Sequence, residues 1–197
     1  IDLAWRGLAV TVVERRATAE PPPPKCKHVA ARSMEVFRRL GVGDALRNAG
    51  LPADYPNDVS YRTTFTGREL TRIRIPCRRD RFTSTDGPDT DWPTAEPPHR
   101  INQIFLEPIL FEFAASQSRI RLLSRCVLED FKQDHDGVEA RVVDLDSGEH
   151  RTVWGQFLIG CDGGGSNVRK GIGAVFEGDA VIQRVQSTYL RAPDLMG

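Results

Sequence analysis

The stretch Leu8-Ala9-Val10-Thr11-Val12-Val13, with Glu14 directly after it, decides the fold of this chain. Its apolar, β-branched composition predicts a buried strand. The residues before it, 1–6, are compatible with a helix and are followed by Gly7, a residue typical of a helix C-terminal cap. The predicted order is therefore a helix end, a tight turn, a buried strand and an acidic residue.

An acidic residue at this position is typical of the second half of a βαβ dinucleotide-binding unit, where its carboxylate accepts hydrogen bonds from ribose hydroxyls. In such units a glycine-rich fingerprint precedes the acid by about 20 residues. Counting back from Glu14 places that fingerprint before residue 1, so we expect the chain to start within the motif. The alternative interpretation is a strand that ends in a solvated glutamate.

Composition and charge exclude several classes of protein. The 197 residues include 27 Lys+Arg and 27 Asp+Glu, a formal net charge of +0, and 40% hydrophobic residues, which is ordinary globular composition. Neutral charge gives no electrostatic case for nucleic acid or an anionic membrane, and no apolar run approaches the ~20 residues of a membrane span. Cys26, Cys77, Cys126 and Cys161 form no CxxC pair, so we predict no metal site and a cytoplasmic location.

The rest of the chain alternates helical and extended patterns. We predict helices over 29–40, 43–49 and 103–117, a hairpin of 59–64 with 69–75, a long loop over 76–100, and β segments at 119–123, 127–133, 138–144 and 153–160. Together they predict an α/β, Rossmann-like domain. Its parallel sheet would contain 8–13 and 157–160, and residues 119–144 would form a three-stranded antiparallel β-meander.

The second informative stretch is Asp162-Gly163-Gly164-Gly165-Ser166, which follows an apolar segment and precedes a predicted helix. Glycines let the backbone approach a phosphate closely, and a helix N-terminus offers free N–H groups to an anion. The Asp162 carboxylate would repel phosphate and is better suited to accept hydrogen bonds from ribityl or ribose hydroxyls. The alternative interpretation is a plain structural loop.

Four blocks of sequence, at 7–15, 24–41, 98–110 and 160–170, occur in an order that resembles one known family. They resemble the FAD-dependent aromatic hydroxylases, the single-component flavoprotein monooxygenases that include p-hydroxybenzoate and phenol hydroxylases. The first block resembles the end of that family's FAD-binding βαβ unit, and the second its arginine-bearing helix. The third resembles its glutamine-bearing helix and the fourth its DG motif.

The resemblance implies that six residues bind FAD. Glu14 would hold the adenosine ribose with Arg15 beside the adenine end, Arg32 would contact the pyrophosphate, Gln103 the ribityl chain, and Asp162 with Gly163 the ribityl–pyrophosphate region.

Other interpretations of these and neighbouring residues stay open. Arg32 can instead be a solvated helix arginine, and Gln103 an N-terminal helix cap. His28 and His99 can be acid–base groups or merely exposed loop histidines. The resemblance assigns no catalytic residue.

The implied function is hydroxylation of a phenolic or other aromatic small molecule by FAD, NADPH or NADH, and O₂. The full-length protein would be a homodimer. The alternatives are a non-catalytic truncated remnant of such an enzyme, or a related flavin-dependent reductase or halogenase on the same fold.

The resemblance also divides the chain. It implies an incomplete FAD-binding domain at 1–58, a hairpin and loop of the substrate side at 59–100, the continued FAD-binding domain at 101–175, and the start of a β-rich substrate domain at 176–197. The family's glycine loop is absent at the front, and Gly178-Asp179 does not match its second FAD motif. We therefore expect a fragment that is inactive by itself.

Overall fold

The computed structural model describes every residue except 19, 26, 89, 91, 92, 180, 187, 189, 196 and 197. Helices and strands follow one another in this order: α1 (Asp2–Trp5), β1 (Val10–Glu14), α2 (Ala31–Arg39), α3 (Gly43–Ala49), β2 (Val59–Arg62), β3 (Glu69–Ile73), α4 (Gln103–Ala115), β4 (Ile120–Ser124), β5 (Cys126–Gln133), β6 (Val138–Asp144), β7 (His150–Gly155) and α5 (Asn167–Gly171). None of the described helices has the length and apolar character needed to cross a membrane.

The strands form parallel and antiparallel sheets, which confirms the predicted α/β class. β1 and β4 pair in parallel, with Val10 opposite Ile120 and Glu14 opposite Ser124. β5, β6 and β7 form an antiparallel sheet in chain order. β2 and β3 form the predicted antiparallel hairpin.

The predicted membership of the meander was wrong. Its first strand was placed at 119–123, but that segment is β4 and pairs with β1, and β7 supplies the third antiparallel strand. The chain changes sheets at Arg125, the single residue between β4 and β5, which has a left-handed φ of 55°. Its N–H donates to the Arg16 carbonyl at 3.1 Å, which holds the break at the end of β1.

Two further expectations for the parallel sheet were wrong. Residues 157–160 belong to none of the described strands, because β7 already ends at Gly155. β1 is also not buried, since Val12 is 38% exposed. Within the described residues β1 pairs with β4 alone. Val13 packs against the cluster that contains Leu123, whereas Thr11 and Val12 are exposed.

The chain divides into two compact units. Unit 1 contains Ile1–Leu8 and Pro21–Arg119, and unit 2 contains Ala9–Glu20 and Ile120–Thr188. The four-part domain division stays a prediction.

Unit 1 has a helical core. Residues of α2, of α3, of the turn between them and of the segment just before α4 are buried together: Met34, Leu40, Val42, Leu46 and Ile101. Against them pack four apolar side chains of α4 that recur every three to four residues: Leu106, Ile109, Leu110 and Phe113. Gly41, with φ of 84°, ends α2 in the left-handed conformation expected of a C-terminal glycine.

Candidate functional site

A short backbone bridge in unit 1 joins the segments that precede two helices. Val29 N–H donates to the His99 carbonyl at 2.8 Å, and His99 N–H donates to the Val29 carbonyl at 2.9 Å. Gln103 N–H also donates to the Lys25 carbonyl at 3.3 Å. α2 begins two residues after Val29 and α4 four residues after His99, so the bridge ties together the starts of the helices that carry Arg32 and Gln103.

Arg32 is the second residue of α2, and its side chain is 90% exposed. Its Nη1 lies 3.6 Å from Glu35 Oε2, a weak pair in solvent. The N-cap of α2 is Ala30, so no side chain caps the first N–H groups of this helix. An exposed guanidinium beside uncapped amides suits an anion, and the same exposure also fits a solvated arginine.

Gln103 is the first residue of α4, and its side-chain amide donates to the Glu107 carboxylate. The N-cap is the preceding residue, because Asn102 Oδ1 accepts from the Ile104 N–H at 3.1 Å. The alternative interpretation of Gln103 as the cap was therefore wrong. The amide of Gln103 is half-buried at the start of the helix.

In unit 2, Glu14 is the last residue of β1, and its side chain contacts Arg16. Its Oε1 accepts from the Arg16 N–H at 2.8 Å and lies 3.4 Å from Arg16 Nε. Arg15 is exposed. The acid is therefore held at the strand end by local contacts, in the way that fixes a carboxylate at a turn.

The Asp162 carboxylate caps the short helix α5. It accepts from the Ser166 hydroxyl, from the Asn167 N–H at 2.6 Å and from the Val168 N–H at 3.3 Å. Ser166 Oγ in turn accepts from the Arg169 N–H at 3.0 Å. The Ser166 hydroxyl bond and the backbone N–H bonds lower the pKa of Asp162. The expectation that this helix offers free N–H groups to a phosphate was wrong, because side chains already occupy them.

The glycine turn itself is open. Gly163 has a left-handed φ of 79°, and a Cβ placed on Gly163, Gly164 or Gly165 would meet no atom within 4 Å. Its backbone is therefore accessible to a ligand. Ser166, which holds the turn through Asp162, was missed by the sequence reasoning, although a serine directly before a helix is a cap signal.

His99 is buried, with 2% of its surface exposed, so its interpretation as an exposed loop histidine was wrong. Its Nε2 lies 2.8 Å from the Leu46 carbonyl, to which a neutral ring donates. Burial is the main cause that lowers the pKa of His99, and the charges of Arg47 and Arg78 lower it further. A neutral, bonded and buried imidazole supports a structural role. His28 is exposed.

An open groove of about 850 Å³ lies in unit 2 between the β5–β6 turn and α5. The segment directly before the Asp162 turn forms one side of it and exposes Phe157 and Ile159. In the β5–β6 turn, ligand atoms of Asp134, His135 and Asp136 lie within 4.8 Å of one another in full solvent exposure. Asp134 Oδ1 accepts from two N–H groups of the same turn, so turn formation accounts for this aspartate.

Among the described cysteines, Cys77, Cys126 and Cys161 are free thiols. Cys26 lies outside the described residues.

Comparison with known proteins identifies similar chains. A family model described as FAD binding domain matches residues 2–196. The FAD-dependent monooxygenase apdD of Emericella nidulans is 28% identical over 98% of this chain and 31% of its own length. The 2,4-dichlorophenol 6-monooxygenase of Delftia acidovorans is 31% identical over 89% of this chain and 29% of its own length.

Solved structures agree. The substrate-free rebeccamycin biosynthetic enzyme RebC superposes with a TM-score of 0.73 and 35% identity, over 87% of this chain and 31% of RebC. The flavin-dependent monooxygenase PieE, solved with FAD and substrate, gives a TM-score of 0.74 and 27% identity, over 90% of this chain and 30% of PieE. The chain thus spans about a third of the length of its relatives, and it belongs to the FAD binding domain family of the FAD-dependent monooxygenases.

Proposed function

We propose that the full-length protein is a monooxygenase that hydroxylates a phenolic or other aromatic small molecule with FAD, NADPH or NADH, and O₂. The observation that carries this proposal is the FAD binding domain match over residues 2–196. The names of several relatives support the substrate class, since they include phenol 2-monooxygenase and 2,4-dichlorophenol 6-monooxygenase.

The residues present fit FAD as a ligand. In unit 1, Arg32 and the uncapped amides of α2 offer positive charge and donors to a pyrophosphate. The Gln103 amide, at the start of the neighbouring helix, offers a donor and an acceptor to ribityl hydroxyls. In unit 2, Glu14 and Arg15 stand at the end of β1, where an acid accepts hydrogen bonds from a ribose.

The Asp162 turn has a narrower proposed role. An ionised carboxylate has about four acceptor sites, and three hydrogen bonds inside the turn already use Asp162. We therefore assign Asp162 mainly to holding the turn, with one remaining acceptor for a ribityl hydroxyl. The open backbone at Gly163 leaves room for the cofactor chain.

Bound FAD would supply the redox and oxygen-activating chemistry. The residues of this chain would bind and orient it, which is the contribution expected of the protein in a cofactor enzyme. The homodimer and the cytoplasmic location are further parts of the proposal.

The test uses the full-length protein. Flavin absorbance in the purified protein, followed by NADPH and NADH oxidation with and without a panel of phenols, separates the candidates. We expect bound FAD and phenol-stimulated oxidation that yields a hydroxylated product. Bound FAD without phenol stimulation would instead favour a reductase or halogenase, and absence of flavin would favour the remnant.

A further inference from the structure

Three segments of unit 1 surround a small hollow outside the residues assigned to FAD. The segments are 51–57, 76–79 and 98–100, and the hollow has a volume of about 10 Å³, which is close to the room that one water-sized group needs. The residues that line it include Arg78 and Arg100, together with Tyr55, Asn57 and His99. We call it the arginine hollow.

Hydrogen bonds between the three segments fix the shape of the arginine hollow. Leu51 N–H donates to the Arg100 carbonyl at 2.8 Å, and Arg79 N–H donates to the Ala53 carbonyl at 2.9 Å. Asn57 connects two segments, because its Nδ2 donates to the Pro76 carbonyl at 3.0 Å and its Oδ1 accepts from Arg100 Nε at 3.0 Å. The hollow is therefore preorganised by the fold.

The lining of the hollow contains two cationic groups and no carboxylate among the described residues. The nearby carboxylates are engaged elsewhere. Glu96 accepts from Arg47 at 2.8 Å and from Arg38 at 3.2 Å, and Asp54 lies 3.5 Å from Arg79.

Arg78 is the cation of the hollow without a close anionic partner among the described residues. It is half-buried, and no described residue lies within hydrogen-bonding or ion-pair distance of its guanidinium. Burial lowers the pKa of Arg78, as does the like charge of Arg47, while Cys77 and Glu96 act in the opposite direction. An arginine stays charged in a protein, and a partly desolvated, unpaired charge gains most from a counter-ion.

The geometry points to an anion site in unit 1: Arg78 and Arg100 bind a small monovalent anion, or the carboxylate end of an organic acid, in the arginine hollow. A guanidinium pairs well with a carboxylate through two parallel N–H bonds. The hollow has room for about one water-sized group, such as a single carboxylate oxygen, so the rest of the ligand remains outside. Tyr55 and Leu51, which are 47% and 40% exposed at its rim, offer apolar surface to a ring that remains outside.

The test is an NMR titration of the protein in low-salt zwitterionic buffer, with formate, benzoate and the uncharged benzyl alcohol as probes. We expect formate and benzoate to cause saturable shifts at the Arg78 side-chain N–H and at the amides of Leu51, Asn57 and Arg100, and benzyl alcohol to cause none. Benzoate binding more tightly than formate assigns the site to organic acids. Equal affinities assign it to free small anions.

Arg78→Met removes the charge and should weaken formate binding at least about 10-fold, the lower limit for a hydrogen bond to a charged group. Arg68→Met is the matched control, because it removes the same charge from the exposed β2–β3 turn, and it should leave the affinity unchanged. If Arg78→Met does not fold, Arg78→Gln provides the same comparison. Shifts that stay linear in the unsubstituted protein, or equal affinity after either Arg78 substitution, would overturn the anion site.

Discussion

Arg32 leaves its guanidinium in solvent beside the uncapped start of α2, so its removal should affect a ligand more than the fold. In the full-length protein, Arg32→Ala should raise the dissociation constant for FAD about 10-fold or more, the effect of losing a hydrogen bond to a charged group. Quenching of flavin fluorescence measures this constant. Arg38→Ala, in the last turn of the same helix, is the control, and equal affinities in both variants would remove Arg32 from the site.

His99 makes the stability of unit 1 sensitive to pH. Its pKa in the folded protein lies below the ordinary value of 6.5 because the ring is buried, so the unfolded chain binds the proton first as pH falls. The free energy of unfolding should therefore be constant above about pH 7.5 and fall progressively below pH 6.5. Urea unfolding at pH 7.5 and 5.5 measures the difference.

His99→Gln is the variant that isolates this effect. Its amide can still donate to the Leu46 carbonyl, the bond that Nε2 makes at 2.8 Å, but it does not titrate. We expect a smaller loss of stability between pH 7.5 and 5.5 in this variant. An unchanged loss would assign the pH dependence to other groups.

The burial of His99 is an example of a property that the sequence around a residue does not indicate. Nothing beside a histidine that follows two prolines indicates that its ring lies under the end of α3. The left-handed φ of Arg125 is a similar case, because only glycine and, less often, asparagine or aspartate adopt that conformation often enough for it to be predicted. Gly41 is a glycine with this conformation, and it lies one residue beyond the helix predicted over 29–40.

At the scale of elements, Gly50 ends α3 at a position where a side chain would collide with neighbouring atoms. A Cβ at this position would lie 2.1 Å from His99 Nε2 and 2.6 Å from the Arg100 carbonyl oxygen, although the backbone φ of −90° suits any residue. Gly50→Ala should therefore destabilise unit 1 by about 1–3 kcal/mol through overpacking, measured by urea unfolding. Gly164→Ala, which would meet no atom within 4 Å, should change stability little. Equal effects of the two substitutions would contradict this.

Helices were easier to predict than sheet membership, for a physical reason. The apolar residues of α4 recur every three to four positions within one segment, and in the structure these side chains pack against the core of unit 1. Pro108 lies at the sixth position of α4, beyond the first turn, and leaves the Ile104 carbonyl without its usual donor. Pairing of β4 with β1 joins residues 110 positions apart, and no local pattern encodes it.

At the scale of the molecule, the predicted FAD-binding residues are distributed over both units. Arg32 and Gln103 belong to unit 1, whereas Glu14, Arg15, Asp162 and Gly163 belong to unit 2. In the structure, Glu14 is the last residue of β1, Arg32 the second residue of α2 and Gln103 the first residue of α4, and their role in FAD binding stays a prediction. The backbone bridge that joins those two helix starts is invisible in sequence, because its partners lie 70 positions apart.

The isolated 197-residue chain should not be an active hydroxylase. It spans about a third of the length of its relatives, and β1 pairs on one side only within the described residues, so preorganisation of the cofactor site should be weak. We expect FAD to bind poorly and phenols not to stimulate NADPH or NADH oxidation. Flavin fluorescence and product analysis measure both. Stoichiometric FAD binding with hydroxylated product would show that the chain suffices.

The bond from Leu51 to Arg100 and the bridge from Val29 to His99 also bear on how such chains can diverge. The hairpin and the long loop leave the helical core at Leu51 and return at Arg100, where the two ends are already joined. For a segment closed at its base, a change of length adds little loop entropy and moves nothing outside it. Insertions and deletions in the segment between Leu51 and Arg100 can therefore accumulate during evolution while the starts of α2 and α4 keep their spacing.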